Sequence, residues 1–167
     1  MSMLHSLRLA ERELPELLLD ESGWNSLLID YHPPVVERLW RDWGLDKRIY
    51  LHCIHPCKDG EALFHPHPWE SAIKLISGCY ETAIGFGSGE EVPPQAARMV
   101  IYAPSEYEMC HPDGWHFVRP LGKPSYSFMI TGKRYGRPAP RSEKPLVALD
   151  PKAINRILNV FQFHYPL

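Results

Sequence analysis

The stretch Phe64-His65-Pro66-His67-Pro68-Trp69-Glu70 decides how the rest of this 167-residue chain is read. In an extended chain, residues i and i+2 project to the same face, so His65 and His67 present two imidazoles side by side. Each is followed by proline, which steers the residue before it toward extended backbone. The prolines donate no backbone hydrogen bond, which places the stretch at a strand edge, a bulge or a barrel rim. A third histidine, His116, follows the turn His111-Pro112-Asp113-Gly114 and lies in the segment Trp115–Arg119. Three histidines placed this way can form a facial three-nitrogen site that leaves coordination positions open.

The surrounding residues, 47–135, read as many short strands. The segments Arg48–His55, Trp69–Ser77, Tyr80–Gly85, Arg98–Ala103, Tyr107–Cys110, Trp115–Arg119 and Tyr126–Thr131 are rich in β-branched and aromatic residues and are separated by Gly, Pro and Asp. Such spacing predicts a sandwich or barrel, with Gly87–Ala97 as an exposed loop. Residues 1–46 read as helical. Leu4, Leu7, Ala10 and Leu14 recur at helical spacing, with Pro15 interrupting or restarting the helix. Val35, Val36, Leu39, Trp40 and Trp43 predict a second amphipathic helix between Pro33-Pro34 and Gly44. Residues 136–150 form a Pro-rich connection, and Asp150-Pro151 starts a last helix over Lys152–Phe161. All three parts make one structural domain.

Composition excludes other classes. With 44% hydrophobic and 23% charged residues the chain is an ordinary globule. The net charge of −2 argues against nucleic acid as a partner. Apolar runs fall short of the ~20 residues that span a bilayer, and no secretory leader pattern is visible. The expectation is a cytoplasmic protein with Cys53, Cys57, Cys79 and Cys110 reduced. A zinc site on Cys53 and Cys57 with His52 or His55 is conceivable, although no second cysteine pair at finger spacing follows.

At the histidines the chain resembles the RmlC-like cupin superfamily. That family's first motif, G-x5-H-x-H-x3/4-E-x6-G, is answered by Gly60, His65, His67 and Gly78. The second, G-x5-P-x-G-x2-H-x3-N, is answered by Pro112, Gly114 and His116. The string HPHPWE, with Gly78-Cys79-Tyr80-Glu81 and SYSFMITGKRYGR, is similar to a group of small metal-binding cupins carrying H-x-H-P-W. The spacings at Gly60 and at Gly114–His116 are each one residue short, and Pro120 replaces the family asparagine. The glutamate position, 71 or 72, holds Ser71 and Ala72.

The resemblance implies a double-stranded β-helix (jelly-roll) barrel, mainly β, with helices at both ends. It implies a divalent transition metal (Fe, Mn, Ni or Zn) held by His65, His67 and His116, with Glu81 preferred as a fourth ligand. Glu70 or water are the alternatives. Trp69 at the rim, and Arg98 with Tyr102 on one strand face, are candidate substrate-lining residues, an arginine there suiting an anionic group. His52 and His55 face opposite sides of the first barrel strand, so one of them can line the pocket. The implied function is metal-dependent chemistry on a small organic molecule, of dioxygenase, isomerase or lyase type, by a homodimer. The alternative is a non-enzymatic ligand-binding or sensor cupin whose metal is structural or absent.

Overall fold

The computed structural model describes residues 2–137 and 140–167; part of the predicted connection, residues 138 and 139, lies outside them. The first helix, α1 (Met3–Leu17), is capped by Ser2, whose side chain accepts from the His5 N–H. It passes through Pro15 and ends two residues later, and it buries Leu7, Ala10 and Leu14 on one face. The last helix, α2 (Pro151–His164), is capped by Asp150 and buries Ala153, Ile157, Leu158 and Phe161.

Among the described residues, ten strands lie between them: β1 (Asn25–Ile29), β2 (Val36–Asp42), β3 (Arg48–Ile54), β4 (His65–Pro66), β5 (Trp69–Ser77), β6 (Cys79–Phe86), β7 (Gln95–Tyr102), β8 (Glu106–Met109), β9 (Gly114–Pro120) and β10 (Ser125–Arg134). They form a six-stranded sheet, ordered β1-β2-β3-β10-β5-β8, and a four-stranded sheet, ordered β4-β9-β6-β7. All pairings are antiparallel. The chain crosses from one sheet to the other at Gly78, where φ is +89°. A Cβ there would stand 2.8 Å from Ser125 Oγ and 3.2 Å from Ser125 Cα, so the crossing needs glycine.

The predicted helix over residues 35–43 is a correction: this stretch is β2, and with β1 it extends the six-stranded sheet. The barrel therefore begins well before residue 47, and residues 1–46 are not a helical segment packed on it. The physical reason is that β2 is covered on both faces. Leu39 enters the core while Val36, Arg38 and Trp40 face the barrel interior. A strand covered on both sides loses its period of two, and its apolar positions then match a helix equally well.

The main core lies outside the barrel. One face of the six-stranded sheet (Leu39, Ile49, Leu51, Phe128, Ile130) packs against Leu7, Leu14, Ile157 and Phe161 of the helices. Lys74 of β5 adds polar ties, bonding Glu11 of α1 at 2.5 Å and Glu106 of β8 at 3.4 Å. The other face looks across to the four-stranded sheet and encloses a cavity. No helix among the described residues is long and apolar enough to cross a membrane.

Candidate metal centre

The three histidines of the sequence pattern meet at one end of that cavity. Strand β4 is two residues long, and its ladder with β9 sets His65 opposite His116 and Pro66 opposite Trp115. The His67 N–H donates to the Gly114 carbonyl at 3.1 Å, which carries the second imidazole to the same place. The ring centroid of His116 lies 4.8 Å from that of His65 and 4.7 Å from that of His67.

Hydrogen bonds fix two of the three tautomers. His65 Nδ1 donates to the Leu63 carbonyl at 2.9 Å. His67 Nδ1 donates to the Trp69 carbonyl at 3.2 Å, with Ser71 Oγ also at 3.2 Å. Both rings therefore keep Nε2 unprotonated and free, the arrangement usual for metal-ligating histidines. Among the described residues, His116 is held by no side-chain bond, and its buried Nδ1 has no partner. Burial keeps all three neutral, lowering His65 to about 4, His67 to about 3 and His116 well below the ordinary range.

Neutral imidazoles with open nitrogens suit a borderline divalent ion. The rings are close, but they do not turn one nitrogen each to within 4.8 Å of one another. Among the described residues, the group whose ligand atoms all lie within 4.8 Å of one another is Glu37, Cys53 and His55. Drawing the histidines together means turning rings, and His116 is the one that no bond restrains.

The Glu37 group sits on the opposite face of the sheet. Its carboxylate is engaged by Arg156 at 2.5 and 2.6 Å and by His55 Nε2 at 3.2 Å. Burial pushes the Cys53 thiol up to about 11, so it stays protonated. The conceivable zinc site of the sequence reading thus becomes a hydrogen-bonded ion pair in which Cys57 has no part.

Three expected site residues lie elsewhere. Glu81 alternates with Tyr80 and Thr82 on β6 and points away from the cavity. It bonds Arg98 at 2.6 and 2.8 Å and Arg119 at 2.7 and 2.9 Å, and these arginines hold its carboxyl down at about 2. Arg98 also bonds Asp59 at 2.5 Å, and Tyr102 is 63% exposed. The face was misassigned because Gly78 resets strand parity between β5 and β6. Glu70 does not line the cavity either. Trp69 does, and its buried Nε1–H has no partner among the described residues.

The cavity measures about 210 Å³ and is walled by Leu27, Ile29, Ile73 and Met129 from one sheet and Tyr80 and Val118 from the other. An engineered cavity of ~150 Å³ accepts benzene, so this one suits a compact organic molecule. His52 is the member of the His52/His55 pair that lines it. Arg38 lines it too, and sequence reasoning missed this residue. Read as helix, Arg38 falls among polar neighbours; alternation with Val36 and Trp40 in a strand was the available signal.

No protein-family model matches the chain, and no curated protein does. Solved structures match its fold. Hydroxypropylphosphonic acid epoxidase from S. wedmorenis aligns with a TM-score of 0.52 at 9% identity, over 66% of this chain and 56% of that one. KdgF from Halomonas sp. gives 0.45 at 12%, over 64% and 88%. Lactobacillus farciminis oxalate decarboxylase gives 0.48 at 12%, over 75% and 34%. The chain thus spans about half the length of the epoxidase, matching 56% of it. The two facing antiparallel sheets and the likeness to the epoxidase define the class: the chain has the cupin fold.

Proposed function

We propose that this chain is a metal-dependent cupin that transforms a small organic molecule, with His65, His67 and His116 as the protein ligands. The observation that carries the reading is the convergence of three neutral imidazoles on one cavity, His67 and His116 buried and His65 half-buried, two of them holding Nε2 free by bonds from Nδ1. A divalent ion there would supply Lewis-acid polarisation and, if iron, dioxygen chemistry. The carbonyls of Leu63 and Trp69 orient the rings of His65 and His67. The apolar walls exclude water, and Trp69 covers the ligand end. With Glu81 engaged elsewhere, substrate or water completes the site, which favours an enzymatic centre of dioxygenase, isomerase or lyase type over a saturated structural one. A homodimer fits the same reading, because edge strand β7 exposes Met99, Val100 and Tyr102.

Elemental analysis of untagged protein beside a His65→Ala/His67→Ala double variant tests the reading. The expected result is near-stoichiometric iron, manganese, nickel or zinc, lost in a variant that remains folded, followed by substrate-dependent oxygen uptake. A parent free of metal even after reconstitution overturns it and leaves the metal-free ligand-binding cupin.

A further inference from the structure

Apart from the histidines, the cavity wall carries one ionisable side chain with a permanent charge, and it is a cation. Arg38 lines the cavity, and no Asp or Glu is among the lining residues. Arg38 is half-buried, and desolvation lowers its pKa. Nε donates to Nε2 of His52 at 3.0 Å. Because that nitrogen accepts, His52 carries its proton on Nδ1, which faces Ser127 Oγ at 3.3 Å. The guanidinium carbon also lies 5.0 Å from the centre of the Tyr50 ring, which stacks on His52. One side of the fork is thus braced. Among the described residues, no carboxylate pairs with it and neither Nη group has a hydrogen-bond partner.

A half-buried, braced cation that faces a cavity without a counter-charge is a site for an anion that arrives with the ligand. The fork matches two coplanar oxygens, and the short apolar walls leave room for a small remainder. We infer that Arg38 is the anion-recognition residue of this cavity and that the substrate is a small organic acid whose carboxylate takes the two Nη groups. The inference rests on the proposed metal site only for where the reacting end lies, toward His65, His67 and His116. His52 is a positioning residue that holds the guanidinium in register. The charge balance agrees: neutral imidazoles compensate none of a divalent ion's charge, so the loaded cavity favours anions further.

The test is calorimetric titration with lactate, its neutral isostere lactamide and methylphosphonate, on protein as purified and after chelator treatment. A charge-assisted bidentate contact predicts lactate binding about tenfold or more tighter than lactamide. The Arg38→Gln variant should bring the two affinities level while metal content per chain stays unchanged, and Arg38→Lys should recover part of the preference. Wild-type protein that does not distinguish lactate from lactamide overturns the inference, whether or not the glutamine variant folds. So does an Arg38→Gln variant that keeps the preference. Methylphosphonate binding tighter than lactate, with the same dependence on Arg38, overturns the carboxylate assignment. Failure of the metal reading looks different: no metal in the parent, with a lactate preference that still depends on Arg38.

Discussion

His65 stands directly across the β4–β9 ladder from His116, and their rings approach to 4.8 Å. Register alone therefore brings together two imidazoles about fifty residues apart in sequence, and it makes their replacement informative in opposite ways.

His116 has a buried Nδ1 with no partner, a group that costs ~1–3 kcal/mol in a folded protein. His116→Leu removes that cost at similar volume. The metal-free variant should melt at or above the metal-free parent while retaining no metal. Thermal melts of chelator-treated proteins, with elemental analysis, check both halves; a metal-replete His116→Leu would remove this residue from the site.

Acid should destabilise the metal-free protein. Burial lowers His65 to about 4 and His67 to about 3 from an ordinary 6.5, so the unfolded chain takes up protons between those values while the folded chain does not. Their contribution is complete above about pH 6.5 and is lost as pH falls toward 4, by up to ~1.4 kcal/mol per unit for each group. Urea midpoints at about pH 7.5, 6 and 5 should fall, less steeply in His65→Ala/His67→Ala. Equal slopes in parent and variant would contradict the assignment.

Glu81 should be dispensable for metal. Its partners Arg98 and Arg119 lie outside the cavity; with Glu81 15% and Arg119 18% exposed, Glu81→Gln should cost about 1–3 kcal/mol and leave metal content intact. Loss of metal in a folded Glu81→Gln would restore it as a ligand.

Core damage should spare the cavity. Phe161 is fully buried between α2 and the outer face of the six-stranded sheet. Phe161→Ala should lower stability by about 3–5 kcal/mol. Metal content per folded chain should stay at the parent's value, as elemental analysis after size-exclusion would show.

The barrel strands were legible because most have their own turn punctuation: Trp69–Ser77 is β5 as read, and Arg48–His55 overshoots β3 by one residue. The histidine trio was legible because the prolines after His65 and His67 fix extended geometry locally. What escaped depends on tertiary cover. Trp40 and Leu39 face opposite sides of β2, each against its own neighbours, so their spacing mimics a helix and Arg38 was hidden with them. Glu81 was misplaced because parity does not carry across the positive φ of Gly78. Arg98 found its partners in Glu81 and Asp59, the latter distant in sequence, and no local pattern announces such a pair.

The helices take the weight of folding on one face of the six-stranded sheet, so the residues on its other face answer to fewer constraints. Leu27 and Val36 line the cavity and belong to neither hydrophobic core cluster. Drift at those positions can retune which acid fits without first finding a new way to stay folded. Related chains should therefore differ most in their cavity walls while keeping Arg38 with His52, and a library varied only at those walls is the economical place to seek altered selectivity.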